Sequence, residues 1–155
     1  MSARLTNIPS YAVQDWTFFA NLSVGTARTG AGTHPLVETI TGVIENVRDK
    51  DLTTSYKSEV TGGGGGGSND YATWVILDFG KVLWNCILYT KYDLGNGTHT
   101  IDTSPDGTNW TDISGGVQNA TATFGIFSTR YVRFYAKRTD AVTYVEVFEA
   151  RLMGS

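Results

Sequence analysis

The chain has 155 residues, of which 41% are hydrophobic and 17% charged, with a net charge of −3. That suits one folded domain, is too apolar for a disordered chain, and gives no basic footprint for nucleic acid or an anionic membrane surface. No apolar stretch approaches the roughly 20 residues of a membrane-spanning helix, and a single cysteine, Cys86, excludes an internal disulfide.

The first seven residues, Met1 to Asn7, lack the apolar core of a secretory signal. The expectation is a product made in the cytoplasm, destined for a virion or an extracellular assembly. Residues 1–14 read as an extended arm, and residues 15–153 as one domain. Trp16 to Leu22 reads as an entry strand, and Gly25 to Pro35, small and polar, as a flexible loop. Gly62 to Gly67 is a run of six glycines with no lysine at phosphate-loop spacing. It is therefore no Walker motif and reads as a surface loop.

From Tyr71 onward, short strands alternate with turn signals. Ala72 to Gly80 is nearly continuous in apolar residues, the pattern of a strand buried on both faces. Val82 to Tyr92 follows, with Cys86 in the role of a small core residue, and ends at the turn Asp93-Leu94-Gly95-Asn96-Gly97. Thr98 to Thr103 alternates. Ser104-Pro105-Asp106-Gly107 is a turn in which proline presets φ and glycine supplies positive φ. Trp110 to Ile113, Ala120 to Phe124, Arg130 to Lys137 and Val142 to Ala150 complete the set, with Val132, Phe134 and Ala136 sharing one face. No segment sustains a helical period. The fold class is all-β, an antiparallel sandwich with an N-terminal arm.

Four stretches, in order, carry a family resemblance. Asn46-Val47-Arg48-Asp49-Lys50-Asp51-Leu52-Thr53-Thr54-Ser55-Tyr56 is similar to an Asp-Gly-Asp-Leu-Thr-Thr-x-Trp loop. Trp74 to Lys81 resembles an aromatic-valine-x-aspartate-leucine-glycine strand. Thr103 to Thr111 is similar to a Ser-x-Asp-Gly-x-x-Trp turn, and Arg130-Tyr131-Val132-Arg133 to a late Arg-Tyr-Val-Arg strand. Together, residues 43–152 resemble the discoidin, or coagulation-factor type C, domain of the galactose-binding-like superfamily and its relatives among bacterial carbohydrate-binding modules. The resemblance implies a discoidin-like jelly roll.

It also implies a structural calcium ion, held by the carbonyls of Asn46 and Asp51, the carboxylate of Asp49 and the hydroxyl of Thr54, and completed by the carbonyl of Val145 and the carboxylate of Glu146. Calcium favours such all-oxygen sets. Lys50 stands where the family has glycine, and the alternative is a capped turn in which Lys50 pairs with Asp49 or Asp51. Sugar binding needs an aromatic platform beside polar side chains. Tyr56, Trp84, Tyr92, His99, Lys137, Arg138 and Tyr144, near strand ends, are the candidate ligand contacts, each with a purely structural role as its alternative. Trp74 and Trp110 fall at positions the family buries. Arg130 and Arg133, inside a strand, read as fold-stabilising rather than as an anion site.

No zinc spacing, nucleophile elbow or histidine cluster supports catalysis. The expectation is a non-catalytic binding and assembly protein: a discoidin-like module for surface attachment or glycan recognition, as a component of a virion or other assembly, self-associating through its arm. The alternative is a stand-alone calcium-dependent lectin module, with a hydrolase ranked below both.

Overall fold

The computed structural model of the chain describes residues 13–62, 69–139 and 141–155. The strands are β1 (Gln14–Asp15), β2 (Asn21–Thr29), β3 (Leu36–Thr41), β4 (Tyr56–Gly62), β5 (Asp70–Leu94), β6 (Thr98–Ser104), β7 (Thr111–Asp112), β8 (Asn119–Thr139) and β9 (Thr143–Gly154). Helix among the described residues is confined to two short 3-10 turns, Thr17–Phe19 and Ile44–Arg48. The architecture is the all-β sandwich expected from the sequence.

Every pairing is antiparallel, in the order β3-β4-β9-β5-β8-β6-β7, with β1 on β9 and β2 on β5. The two longest strands bend between layers. Asp70 to Asp78 pairs with β2 and with Tyr131 to Thr139, whereas Leu83 to Asp93 pairs with Asn119 to Thr129. Ile87 to Leu94 also pairs with β9. The register slips between Asp78 and Leu83 and again on the way to Ile87. Strands turn the corner between sheets by such bulges.

Between the layers lies the core. Val132, Phe134 and Ala136 are fully buried, as their alternation predicts, and face Leu77, Leu88, Leu94, Ile101 and Leu152. Cys86 is also fully buried, and burial pushes its thiol pKa up, as suits an inert core residue.

Three expectations need correction. Ala72 to Gly80 is not buried on both faces: Val75, Leu77 and Phe79 are buried, but Trp74, Ile76 and Asp78 are only half-buried, because no further layer covers that side among the described residues. Trp16 to Leu22 is not one strand, since Thr17–Phe19 coils into a 3-10 turn before β2 begins. Gly25 to Thr29, read as loop, is the second half of β2, paired with Asp70 to Trp74. Of the expected arm, only Val13 and Gln14 are described, and Gln14 opens β1; residues 1–12 and the glycines after Gly62 lie outside the described residues.

Ion pairs and a capped turn fasten the outer layer. Arg130 grips Asp78 through Nε at 2.9 Å and Nη2 at 3.2 Å, and Arg133 holds Asp102 at 2.7 Å. In the turn after β6, Asp106 Oδ1 accepts the N–H groups of Thr108 and Asn109, each at 2.8 Å. Those two bonds hold its carboxyl well below the usual carboxylate range. Hydrogen bonds from Arg130 lower Asp78 in the same direction.

A depressed folded pKa stabilises fully above the unfolded value, about 4, and that stabilisation is lost progressively as the pH falls from there through the lower folded value. The urea midpoint should therefore fall steadily from about pH 5 downward, without levelling off near the unfolded value, and Asp106→Asn should shrink the fall. An unchanged drop would mean that the turn carries no part of the acid sensitivity.

Candidate functional site

Loops gather at the end of the sandwich where β5 finishes and β9 begins. The turn Gly95 to Gly97 wedges between the end of β8 and the start of β9. Gly95 N–H donates to Tyr144 O at 2.7 Å, and a Cβ on Gly95 would lie 2.5 Å from Tyr144 N. Gly97, at φ +98°, leaves no room for a side chain against Lys137 O, 2.5 Å from where its Cβ would stand. Glycine here permits both the left-handed backbone and the close approach.

Four of the residues singled out in the sequence border this wedge, His99 and Arg138 by side chain and Lys137 and Tyr144 by backbone; the Lys137 and Tyr144 side chains leave it on different layers, toward Asp70 and Asp93. The Tyr144 hydroxyl donates to Asp93 Oδ1 at 3.1 Å, and the Lys57 ammonium lies 4.5 Å from the centre of its ring. Burial, with Asp93 beside it, raises the Tyr144 pKa. Lys137 pairs with Asp70 at 3.1 Å, which raises the lysine pKa. Asp70 also accepts a short hydrogen bond from Thr139, and the two contacts lower its carboxyl. Both nitrogens of the His99 ring face carbonyls, Gly97 O and Gly116 O, each at 3.1 Å, so the ring staples two loops. Arg138 is exposed.

Three other candidates fall elsewhere. Tyr56 and Tyr92 are core residues, 4% and 2% exposed, and offer no ring face to a ligand. Their strand positions put the rings inward, where Tyr92 meets Phe124 and Phe134 at 6.3 Å. Trp84 is 60% exposed but lies at the opposite pole, paired with Ser155. The ten residue steps of β9 from Tyr144 to Gly154 separate the poles by about 33 Å.

The other candidate centre is the turn after Ile44–Arg48. Asp49 Oδ2 accepts the Thr54 hydroxyl at 2.6 Å, and its Oδ1 accepts the N–H of Asp51 at 2.9 Å. Asp51 Oδ1 accepts both the hydroxyl and the N–H of Thr53, which lowers its carboxyl pKa. Lys50 adopts φ +65°, in the left-handed region that favours glycine. Its ammonium sits 5.3 Å from the Phe18 ring. Asn46 Nδ2 donates to Ser55 O at 2.9 Å, and Ser55 Oγ reaches Glu146 at 3.1 Å. The Val145 side chain is buried and its backbone is paired between Ser58 and Leu94.

A residue not singled out in the sequence, Glu149, lies beneath this turn. It is 1% exposed, the Lys50 N–H donates to it, and its Oε2 is buried without a partner. Burial pushes its pKa up to about 6. The sequence held one clue: Glu149 is in phase with the core residues Val145 and Val147. The register slip at Tyr92, which leaves Phe148 unpaired, turns it to the outer side instead. A half-satisfied buried carboxylate next to Asp49 fits a divalent cation. Among the described residues no group of three His, Cys, Asp or Glu side chains gathers closely enough to hold a metal, so carbonyl and hydroxyl oxygens would have to complete the set.

No family model matches the chain, and no curated protein matches it in sequence. Solved structures do. Chitosan-binding module 1 of a chitosanase/glucanase from Paenibacillus sp. IK-5 superposes with a TM-score of 0.51 at 18% identity, covering 91% of this chain and 99% of that one. Module 2 of the same enzyme, in complex with chitotriose, gives 0.49 at 15% identity over 77% and 95%. The CBM32 of AlyQ, in complex with 4,5-unsaturated mannuronic acid, gives 0.43 at 19% identity over 75% and 92%. The chain therefore has a β-sandwich fold like that of chitosan-binding module 1.

Proposed function

We propose that this chain is a non-catalytic carbohydrate-binding module whose ligand docks at the loop end, where the strands that carry His99, Arg138 and Tyr144 converge on the Gly95–Gly97 turn. That convergence carries the reading. The ends of three strands, β6, β8 and β9, meet around one glycine-bearing turn, which sets the exposed Arg138 and the His99 ring at its rim and leaves the Tyr144 ring, with Lys57 and Asp93, on the flank of β9. A sugar presents an apolar CH face and a rim of hydroxyls, so its site needs both. The chitosan-binding module of like fold supports the reading by analogy only. On a glycan array, Tyr144→Ala and Arg138→Ala should each weaken binding about tenfold while the circular-dichroism spectrum stays unchanged. A chain that retains no glycan would overturn the reading.

The Asp49–Thr54 turn is, on this reading, a calcium site. Asp49, Asp51 and Thr54, with the carbonyl of Asn46, would hold the ion from the loop, and Glu149 from β9. Calcium would supply the positive charge that the buried Glu149 carboxylate lacks. Added calcium should raise the melting temperature and chelator should lower it, since a ligand bound only by the native state stabilises it. Glu149→Gln should abolish the shift and Glu146→Gln preserve it. Equal melting with and without chelator would remove the metal.

The second reading, packing in a larger assembly such as a virion, is favoured by the opposite pole. There Phe19, Trp84 and Ile126 are 69%, 60% and 73% exposed, and exposed apolar clusters mark interfaces. The expected arm lies largely outside the described residues and adds nothing to this reading. A native mass above 16.8 kDa that returns to the monomer in Ile126→Lys would bear it out; a monomer at every concentration would end it.

A further inference from the structure

The outer face of the layer β2-β5-β8-β6 carries features that neither the loop end nor the core requires. Side chains opposite one another in an antiparallel pair share a face. The register therefore sets Asn21, Ser23 and Gly25 of β2 beside Asp78, Ile76 and Trp74 of β5, and these beside Tyr131, Arg133 and Tyr135 of β8.

Trp74 lies flat. A Cβ on Gly25 would stand 2.4 Å from Cζ2 of the indole and 2.6 Å from Nε1, so the ring rests directly on the β2 backbone. Glycine is what admits it. One indole face is packed down and the residue remains only half-buried. Farther along β8, Trp110 meets Tyr131 edge to face with centroids 6.2 Å apart. Beside them is a groove of about 420 Å³, lined by Asn21, Ser23, Ile76, Asp78, Trp110 and Tyr131. Tyr131 and Tyr135 are four residues apart on one strand, about 13 Å. Two aromatic pairs thus bracket an extended track, not a single-ring pocket.

The charges on this face are already spent. Asp78 is held by Arg130, and Asp102 by Arg133. The Arg133 guanidinium is itself sandwiched 4.1 Å from the Trp110 centroid and 4.6 Å from that of Tyr135. Asp106, at the groove's edge, is committed to backbone N–H groups. A ligand meets rings, an amide and a hydroxyl, with Asp106 at the edge as the one carboxylate that no cation matches.

We propose that this sheet face is a second carbohydrate site, separate from the loop end, which takes a neutral linear oligosaccharide. Its sugar rings stack on Trp74 and on the Trp110–Tyr131 pair, and its hydroxyls bond to Asn21 and Ser23. The proposal shares a ligand class with the preceding reading but none of its residues.

The test uses the four tryptophans of the chain, each of which gives its own indole N–H signal in a nitrogen-15 NMR spectrum. Three hexasaccharide probes are titrated: neutral N-acetylglucosamine, cationic glucosamine and anionic galacturonate. The neutral hexamer should move the Trp74 and Trp110 signals and leave Trp16 and Trp84 in place. Ser23→Arg, on the exposed β2 rim, should weaken that response about tenfold and leave the Gly95 and Gly97 amides as in the unaltered chain. Trp74→Phe should lose the stacking response with its fold intact. If only the Gly95 and Gly97 amides respond, the loop site stands and the sheet-face site falls. If only the indoles respond, the reverse holds. Indole signals unmoved by all three probes, moved more by a charged hexamer, or moved instead by a concentration-dependent dimer overturn the proposal.

Discussion

The antiparallel pairing of β5 with β8 runs through both layers of the sandwich, and every other element is positioned by it. Both strands turn the corner at the same level, where the register slips between Asp78 and Leu83. Below the corner they form the middle of one layer, flanked by β2 and β6; above it they join β9 and β4 in the other. Because both layers share these two strands, neither can slide against the other without breaking the ladder. The packing of Phe134 on Tyr92 and the placement of the loops at the far ends follow from that restraint.

On the outer layer, cations are matched twice, once by carboxylate and once by π-face. Arg133 bonds Asp102 and lies between two rings; Arg130 bonds Asp78 and lies 4.9 Å from the Tyr131 ring. Arginine can do both at once because its guanidinium is planar, so the edge bonds while the face stacks. Lysine in either place would keep the charge and lose the plate. The result is a sheet face built of flat, fixed groups.

Much of this was legible from residue 71 onward, because there the alternation is clean. Val132, Phe134 and Ala136 declared their face, the Ser104–Gly107 turn declared itself by its proline and its positive-φ glycine, and the two strand arginines found the carboxylates that a structural role demands. The N-terminal third was harder to read for a physical reason. β2 and β3 sit at sheet edges with mostly exposed side chains, so Asn21–Thr29 and Leu36–Thr41 carry little hydrophobic periodicity. Gly25 looked like a loop signal when its role was to make room for Trp74. Tyr56 and Tyr92 looked like ligand aromatics because strand ends attract such readings, and depth cannot be read from a single position. Glu149 was hidden by a one-residue slip, which reverses the side of every residue beyond it.

The pairing of β1 with the end of β9, and of Ser155 with Trp84, gathers Val13 and Ser155 at one pole of the molecule. His99, Arg138 and Tyr144 occupy the other. A bead or a fluorescent protein tethered through Ser155 would hold the loop tips outward like a lamp on its stem. The flank that bears Trp74 would face sideways, along whatever surface the stem stands on.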